Sequence, residues 1–495
     1  MSHSERLSAL DAAFLDIEHR GAHMHVGAVG IFERGPLTRP GGAVDFDRLR
    51  AHVGSIIGRN PRYRQRLVTT PLLGTPAWVD DDRFLLDFHL RHTRLPAPGD
   101  LRQLKRLAGR VFSQRLDRDH PLWEMWIVEG LEGDRFALIA KLHHCMIDGV
   151  AGNNLLTTLL RGTPDDRLAS EIAAAHTVPG APAPSWQARP APGPLALLGR
   201  ELRHRADGLH HLARMAQASR AVPGDLEHRV RELVGGVGSL MTRALRPTAR
   251  TSFNPPRTGP HRRFDWVRLD LAELKAVKRA LGGTVNDVAL AIVAGALRRA
   301  MQRRGIDTDH MGEIRALVPV NVRPPSRDGA LGNHVAMHLV PLPCGVAEPR
   351  ARLRAVTATM DELKRGDAVG GVAALEELAD ATGAGVVAAL FKFAGLVRAF
   401  NVTATNVPGP PFPLYLLGSR LQEIYPLVPL FEHHTVGLAL FSYAGAMHVG
   451  VAGDWHATPD LHDLVLDLEA EHIALVALAG LPPRTAAEPA IATYN

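Results

Sequence analysis

The string His143-His144-Cys145-Met146-Ile147-Asp148-Gly149 is where the residue types of this 495-residue chain could do chemistry. A histidine pair alone says little among 25 histidines, and His210-His211 and His433-His434 are further pairs. Requiring Asp and Gly at fixed offsets lowers the chance expectation to roughly 0.01 occurrences in a chain of this kind. Imidazole titrates near neutrality, so a histidine held at the end of a rigid element can take the proton of a hydroxyl as that hydroxyl attacks a carbonyl. Asp148 suits a carboxylate that an arginine holds to fix the loop, and Gly149 permits a tight backbone path. Cys145 reads as a small buried apolar residue rather than a nucleophile. The spacing nominates no third metal ligand, so no metal site is expected. No Gly-x-Ser-x-Gly nucleophile elbow occurs, consistent with a route that needs no acyl-enzyme.

The elements that must position these residues can be read from periodicity. The apolar run Phe136–Leu142 is a strand that delivers the histidines, and Asn154–Leu160 reads as the helix after them. Thr284–Met301 reads as a helix with Thr284 as its N-cap. That places Asn286 and Asp287 in the first turn, where Asp287 complements the helix dipole. Ile314–Val320, Ala336–Leu342 and His448–Ala452 read as strands. Thr405-Asn406, followed by Val-Pro-Gly-Pro, reads as a turn, and Trp123 after Pro-Leu suits a core position. Residues 174–199 are too rich in proline for a strand or a helix interior, whereas 195–245 are weakly amphipathic. The expected organisation is α/β (α+β). An N-terminal domain takes 1–165, a Pro/Ala-rich then Arg-rich helical linker 166–255, a C-terminal domain 256–480 and a tail 481–495.

Composition bounds the rest. Apolar residues make up 46% and charged residues 22%, an ordinary globular balance. No run of eighteen apolar residues occurs, the N-terminus lacks a signal-like stretch, and there are two cysteines, so a cytoplasmic protein is expected. The net charge of +6 is concentrated: residues 200–263 hold thirteen arginines against five acids, and the remainder is slightly acidic. Phe253 is the one aromatic ring in that run, which argues against nucleic-acid binding by stacking. A solvated helical face and contact with anionic headgroups or nucleotide phosphates are the two readings left open. Residues 385–400, apolar but for Lys392 and Arg398, read as a core helix or an interfacial one.

His143–Gly149 resembles the HHxxxDG motif of the CoA-dependent acyltransferase superfamily, which includes chloramphenicol acetyltransferase, carnitine acyltransferases and peptide-synthetase condensation domains. Leu7-Ser-Ala-Leu-Asp-Ala-Ala-Phe14, Met24-His-Val-Gly27, Pro121-Leu-Trp123 and Thr284-Val-Asn-Asp-Val288 are similar to the bacterial wax ester synthase/diacylglycerol acyltransferase family. So are Val318-Pro-Val-Asn-Val-Arg-Pro324, Leu331-Gly-Asn333, Val340-Pro-Leu-Pro343, Thr405-Asn-Val-Pro-Gly-Pro410 and Tyr425-Pro426. The resemblance implies two chloramphenicol-acetyltransferase-like domains with a tunnel between them. It implies His144 as general base, with His143 and Asp148 as structural support beside Gly149. Thr405-Asn406 becomes the candidate oxyanion donor, Asn286-Asp287 a motif near the site, and Trp123 a candidate tunnel wall. The implied reaction moves a long-chain acyl group from acyl-CoA, a substrate rather than a bound cofactor, to diacylglycerol or a long-chain alcohol. Lipid substrates imply peripheral contact with a membrane or lipid droplet. Two other readings stay open: a non-catalytic lipid-binding protein that keeps the fold, and an amide-forming condensation enzyme. Ala22-His23 departs from the family, which usually has proline before Met24, and His334 and His338 are extra histidines after Asn333.

Overall fold

The computed structural model describes residues 3–39, 43–146, 158–164, 186–220, 248–321, 335–365 and 399–481. Two six-stranded sheets form its frame. The first centres on β7 (Arg135–His143), an almost wholly buried strand, and this matches the expected strand closely. It is flanked by β2 (His25–Glu33) and β6 (Trp123–Leu131), both antiparallel to it, with β5 (Leu90–Arg94) on one edge. The other edge is built from β13 (Ser419–Leu427) and β12 (Tyr415–Leu416). The expected C-terminal unit 256–480 therefore lends two strands to the N-terminal sheet. Pairing of β13 with β2, Leu427 opposite Gly27 through Leu421 opposite Phe32, overrides the division at residue 256.

The second sheet runs β10 (Val335–Leu342), β9 (Ile314–Asn321), β11 (Val402–Pro408), β14 (Val436–Tyr443), β15 (Ala446–Asp454) and β8 (Arg262–Asp270). Its outer face carries helices α7 (Val285–Arg303), α8 (Pro349–Arg365) and α9 (Leu461–Leu478) over one large apolar core. Thr284 caps α7 as expected, in a reciprocal box with Asp287. Three strands, β1 (Glu5–Arg6), β4 (Pro76–Asp80) and β3 (Gln65–Thr69), make a small separate sheet. Helix α5 (Pro194–Arg220) lies within the expected helical connection.

A second core fills the far side of the N-terminal sheet, under α2 (Phe46–Arg59). A third joins the two halves. Val29, Ile31 and Ile139 meet Phe264, Trp266, Tyr425 and Leu427 there, together with Val111 and Phe112 of α4 (Leu101–Ser113). Trp266 stacks on Tyr425 at 4.8 Å, and Phe112 meets Phe264 edge-on at 5.1 Å. Backbones also touch: a Cβ at Gly450 would lie 1.9 Å from the Pro426 carbonyl oxygen, so only glycine fits. The two halves are thus one packed body along this seam.

Asp148, Gly149, most of the expected Asn154–Leu160 helix, the 481–495 tail apart from Leu481, and residues 385–398 lie outside the described residues. Of the last stretch, Ala399 and Phe400 are described, and both are buried.

Candidate active site

Along β7 the side chains alternate. Phe136, Leu138, Ala140 and Leu142 enter the N-terminal core. Ala137 and Ile139 face the seam between the halves, and the strand period places Lys141 and His143 on that same side. His143 is the last residue of the strand and lies opposite His25 of β2. His144 opens a single 3-10 turn that ends at Met146.

His143 is held from two sides. Its Nδ1 accepts the Cys145 backbone N–H at 3.2 Å, with the Cys145 Sγ 3.0 Å away. That contact puts the ring proton on Nε2, which faces Glu18 Oε1 at 3.8 Å. His25 points its Nε2 at the same oxygen from 3.5 Å. The other carboxylate oxygen of Glu18 takes Arg115 at 2.9 Å and Arg118 at 2.7 Å. Burial works to raise the Glu18 carboxyl, but its charged neighbours hold it below the ordinary value. Burial pushes His143 down to about 3, so at neutral pH it is uncharged, and Arg115 and Arg118 are the countercharges that keep Glu18 ionised.

His144 is placed differently. Its backbone N–H donates to the Met24 carbonyl at 2.7 Å, and its ring stacks on Phe14 of α1 (Ala9–Ile17) at 3.9 Å. The residue is half-buried, its Nδ1 is sealed from solvent, and neither ring nitrogen hydrogen-bonds to a described side chain. Burial pushes it down to about 4, with its own backbone carbonyl the single opposing influence. The result is a neutral imidazole held by stacking and by its main chain, with no described side chain hydrogen-bonded to its ring.

The segment before β2 connects this turn to the C-terminal half. Buried Arg262 of β8 donates to the Gly21 carbonyl at 2.6 Å, and its main-chain N–H donates to Ser113 Oγ at 2.8 Å. Gly21 is three residues from Met24, whose carbonyl holds His144.

Asn286 and Asn406 come together: the Asn406 amide donates to Asn286 Oδ1 at 3.0 Å. Asp287 is buried in its capping role. The expected turn at Thr405-Asn406 is instead an interior part of β11, with Thr405 opposite Ala439 and Asn406 opposite Leu440 in parallel pairing to β14. Successive side chains on a strand point to opposite faces, so the two cannot serve one oxyanion together. Leu440 belongs to the core under α7, which puts Asn406 on the helix side. Thr405 faces the other way, as do Phe441 and Tyr443, and those two pack into the N-terminal core.

Trp123 is a core residue. It is fully buried, its indole N–H donates to the Tyr63 carbonyl at 2.9 Å, and it stacks on His89 at 4.7 Å. A tunnel wall would need a free face, and both of its requirements, packing and the N–H partner, are met inside the fold.

Glu18, Arg115, Arg118 and Arg262 join the site without being legible in the sequence. No spacing signal marks them, because strand pairing and the seam bring them to the histidines from remote positions. His25 was visible only as part of a resembling segment.

Among the described residues no cluster of three His, Cys, Asp or Glu side chains is arranged to hold a metal ion. No single described helix is long and apolar enough to cross a membrane.

Two six-stranded sheets, with His143 ending the central strand of one and His144 opening the turn after it, form a fold that acyltransferase and condensation structures share. The first condensation domain of the calcium-dependent antibiotic synthetase shares that fold at a TM-score of 0.56 and 18% identity, covering 98% of each chain. Residues 7–289 match the wax ester synthase/diacylglycerol acyltransferase catalytic domain, and residues 331–475 match the WS/DGAT C-terminal domain. The chain belongs to this family and is an acyltransferase. A Mycobacterium tuberculosis protein named as a diacyglycerol O-acyltransferase, Rv1760, is 33% identical over 465 residues, 92% of this chain and 87% of that one. Another from the same organism, tgs1, is 32% identical over 481 residues, 96% of each. The wax ester synthase/diacylglycerol acyltransferase of Marinobacter aquaeolei VT8 superposes at a TM-score of 0.64 with 27% identity, covering 96% of this chain and 100% of that one.

Proposed function

We propose that this chain transfers a long-chain acyl group from acyl-CoA to the hydroxyl of diacylglycerol or a long-chain alcohol, with His144 as general base. The observation that carries the reading is the state of His144: neutral, half-buried, stacked on Phe14, and with no described side chain hydrogen-bonded to its ring. An acceptor hydroxyl donating to the Nε2 lone pair supplies the missing partner. As the proton moves to Nε2, the acceptor oxygen forms a bond to the thioester carbonyl carbon. The tetrahedral oxyanion then collapses, the C–S bond breaks, and the imidazolium returns its proton to the departing CoA thiolate. No acyl-enzyme is formed, and acyl-CoA is consumed as a substrate with no resident cofactor. The Thr405 hydroxyl, which faces the N-terminal half, is the better oxyanion donor of the candidate pair. His143 and Asp148 are support. Peripheral contact with a lipid surface follows from the substrates.

The test is ester formation from palmitoyl-CoA with dioleoylglycerol or hexadecanol, followed by thiol release and neutral-lipid chromatography. Wild type is expected to form ester with at least one acceptor, and His144→Ala to lose at least about a thousandfold in kcat. Intact-mass analysis after acyl-CoA alone should show no covalent adduct. Product from His144→Ala at the wild-type rate would refute the assignment of the base, and no product with any acceptor would favour a lipid-binding role.

A further inference from the structure

Helix α5 crosses the small sheet. Its buried Glu201 takes the Thr75 hydroxyl at 3.2 Å and Arg6 at 3.2 Å, and Arg200 reaches Ser4 at 2.7 Å. Leu197 is buried on this inner side. At 3.6 residues per turn, Leu195 and Leu202 lie on the opposite face, two turns apart, and they are 85% and 52% exposed. Beside the helix stands the hairpin that joins β3 to β4. Its tip residue Leu72 is 94% exposed and sits at a φ of 65°, a left-handed conformation that leucine adopts at a cost. Glycine at the tip would remove both the apolar exposure and the strain. Thr75 of the same hairpin also accepts from Arg205, so the hairpin and the helix are joined through Glu201 and Arg205. Arg203 is exposed beside the stripe, and the run from 200 to 263 holds thirteen arginines against five acids.

We infer that Leu72, Leu195 and Leu202 form an insertion surface that docks this chain on anionic lipid. The apolar groups are separate projections rather than a groove, which suits insertion between acyl chains rather than cover by a folded partner. Exposed Arg203, next to Leu202 in the chain, and the net positive charge of the 200–263 sequence match phosphate-bearing headgroups. The inference rests on the proposed use of lipid substrates, which must be reached at an interface.

Flotation of the full chain with vesicles of phosphatidylcholine, with and without about a third phosphatidylglycerol, tests it. Wild type should float with the anionic vesicles and less with the neutral ones. Leu72→Gly should keep or raise Tm, because glycine accepts this φ, yet lower vesicle partitioning about tenfold. Leu195→Ser with Leu202→Ser should do the same without affecting the sheet. With a short-chain alcohol dissolved as monomer, the triple variant should turn over like wild type, whereas His144→Ala should float like wild type and fail to turn over. Loss of turnover in His144→Ala and wild-type flotation of the triple variant would overturn the docking surface and leave the chemistry standing. A concentration-dependent dimer in sedimentation that Leu72→Gly abolishes would assign the surface to a second copy and overturn the inference as well.

Discussion

At the scale of single residues, the two adjacent histidines have opposite surroundings. His143 is clamped between Cys145 and Glu18 and cannot leave its tautomer, while His144 is held by stacking and by a main-chain hydrogen bond that leaves its ring edge available. That difference is what supports the proposed use of His144, rather than His143, as the base. It makes Glu18 a positioning residue: it touches His143 and His25, and Arg115 and Arg118 fix it in turn. Glu18→Gln keeps the shape but removes the charge, leaving two arginines facing a neutral amide. Breaking a fully buried ion pair from one side costs about 3–5 kcal/mol, but Arg115 and Arg118 are 42% and 40% exposed and keep water, so the loss read from the midpoint of urea unfolding should be less than that. Since Glu18 acts through His143, kcat should drop while KM for acyl-CoA changes little, and Glu18→Asp should recover part of kcat. A KM increase with kcat intact would show that Glu18 contacts substrate instead.

At the scale of elements, the parts legible in the sequence were those set by local periodicity and capping. The strand into the motif, the capped helix Val285–Arg303 and strands β9, β10 and β15 are fixed by apolar runs and by Thr284, and they fall within a few residues of expectation. Thr405-Asn406 failed because the Pro-Gly-Pro that follows signals a turn, whereas pairing between β9 and β14 draws the preceding residues into a parallel strand. The placement of β13 in the other half's sheet was not legible, since a strand carries no mark of which sheet it will join. The Asn406–Asn286 contact ties β11 to the first turn of α7 and so sets how Thr405 is presented. Thr405→Ala should lower kcat about a hundredfold with acyl-CoA binding retained, as for a lost oxyanion donor, and Thr405→Ser should restore most of it. Asn406→Ala should act more weakly. In a double-mutant cycle with Asn286→Ala, the two should couple by about 0.5–1.5 kcal/mol in unfolding free energy. Additive losses would show that the two asparagines work independently.

At the scale of the whole molecule, uncharged histidines are spread through the cores and the seam. Burial pushes His143 and His448 down to about 3, and His23, His89 and His144 to about 4. His448 of β15 lies against Tyr425 of the N-terminal sheet at 5.2 Å, and His23 lies in the segment that Arg262 ties to the C-terminal half. In the unfolded chain each of these groups returns to its ordinary value of 6.5. Below that value the unfolded state binds more protons than the folded one, so stability rises with pH there. The contribution is fully present above about pH 6.5 and is lost as the pH falls through the window down to about 4. Near pH 5.5, these five residues should take up between about four and five protons on unfolding, a slope of roughly 6 kcal/mol per pH unit. Urea unfolding at pH 7.5, 6.5, 5.5 and 5.0 measures that slope. The expected result is a plateau between the two higher values and a steep fall below them. His448→Phe, which keeps the aromatic packing and removes one titrating group, should flatten the fall by about one proton while leaving turnover at pH 7.5 unchanged. A profile that is level from 7.5 to 5.0 would mean that these histidines are solvated and protonated in the folded chain, contrary to the burial that also leaves His144 neutral and ready to act as a base.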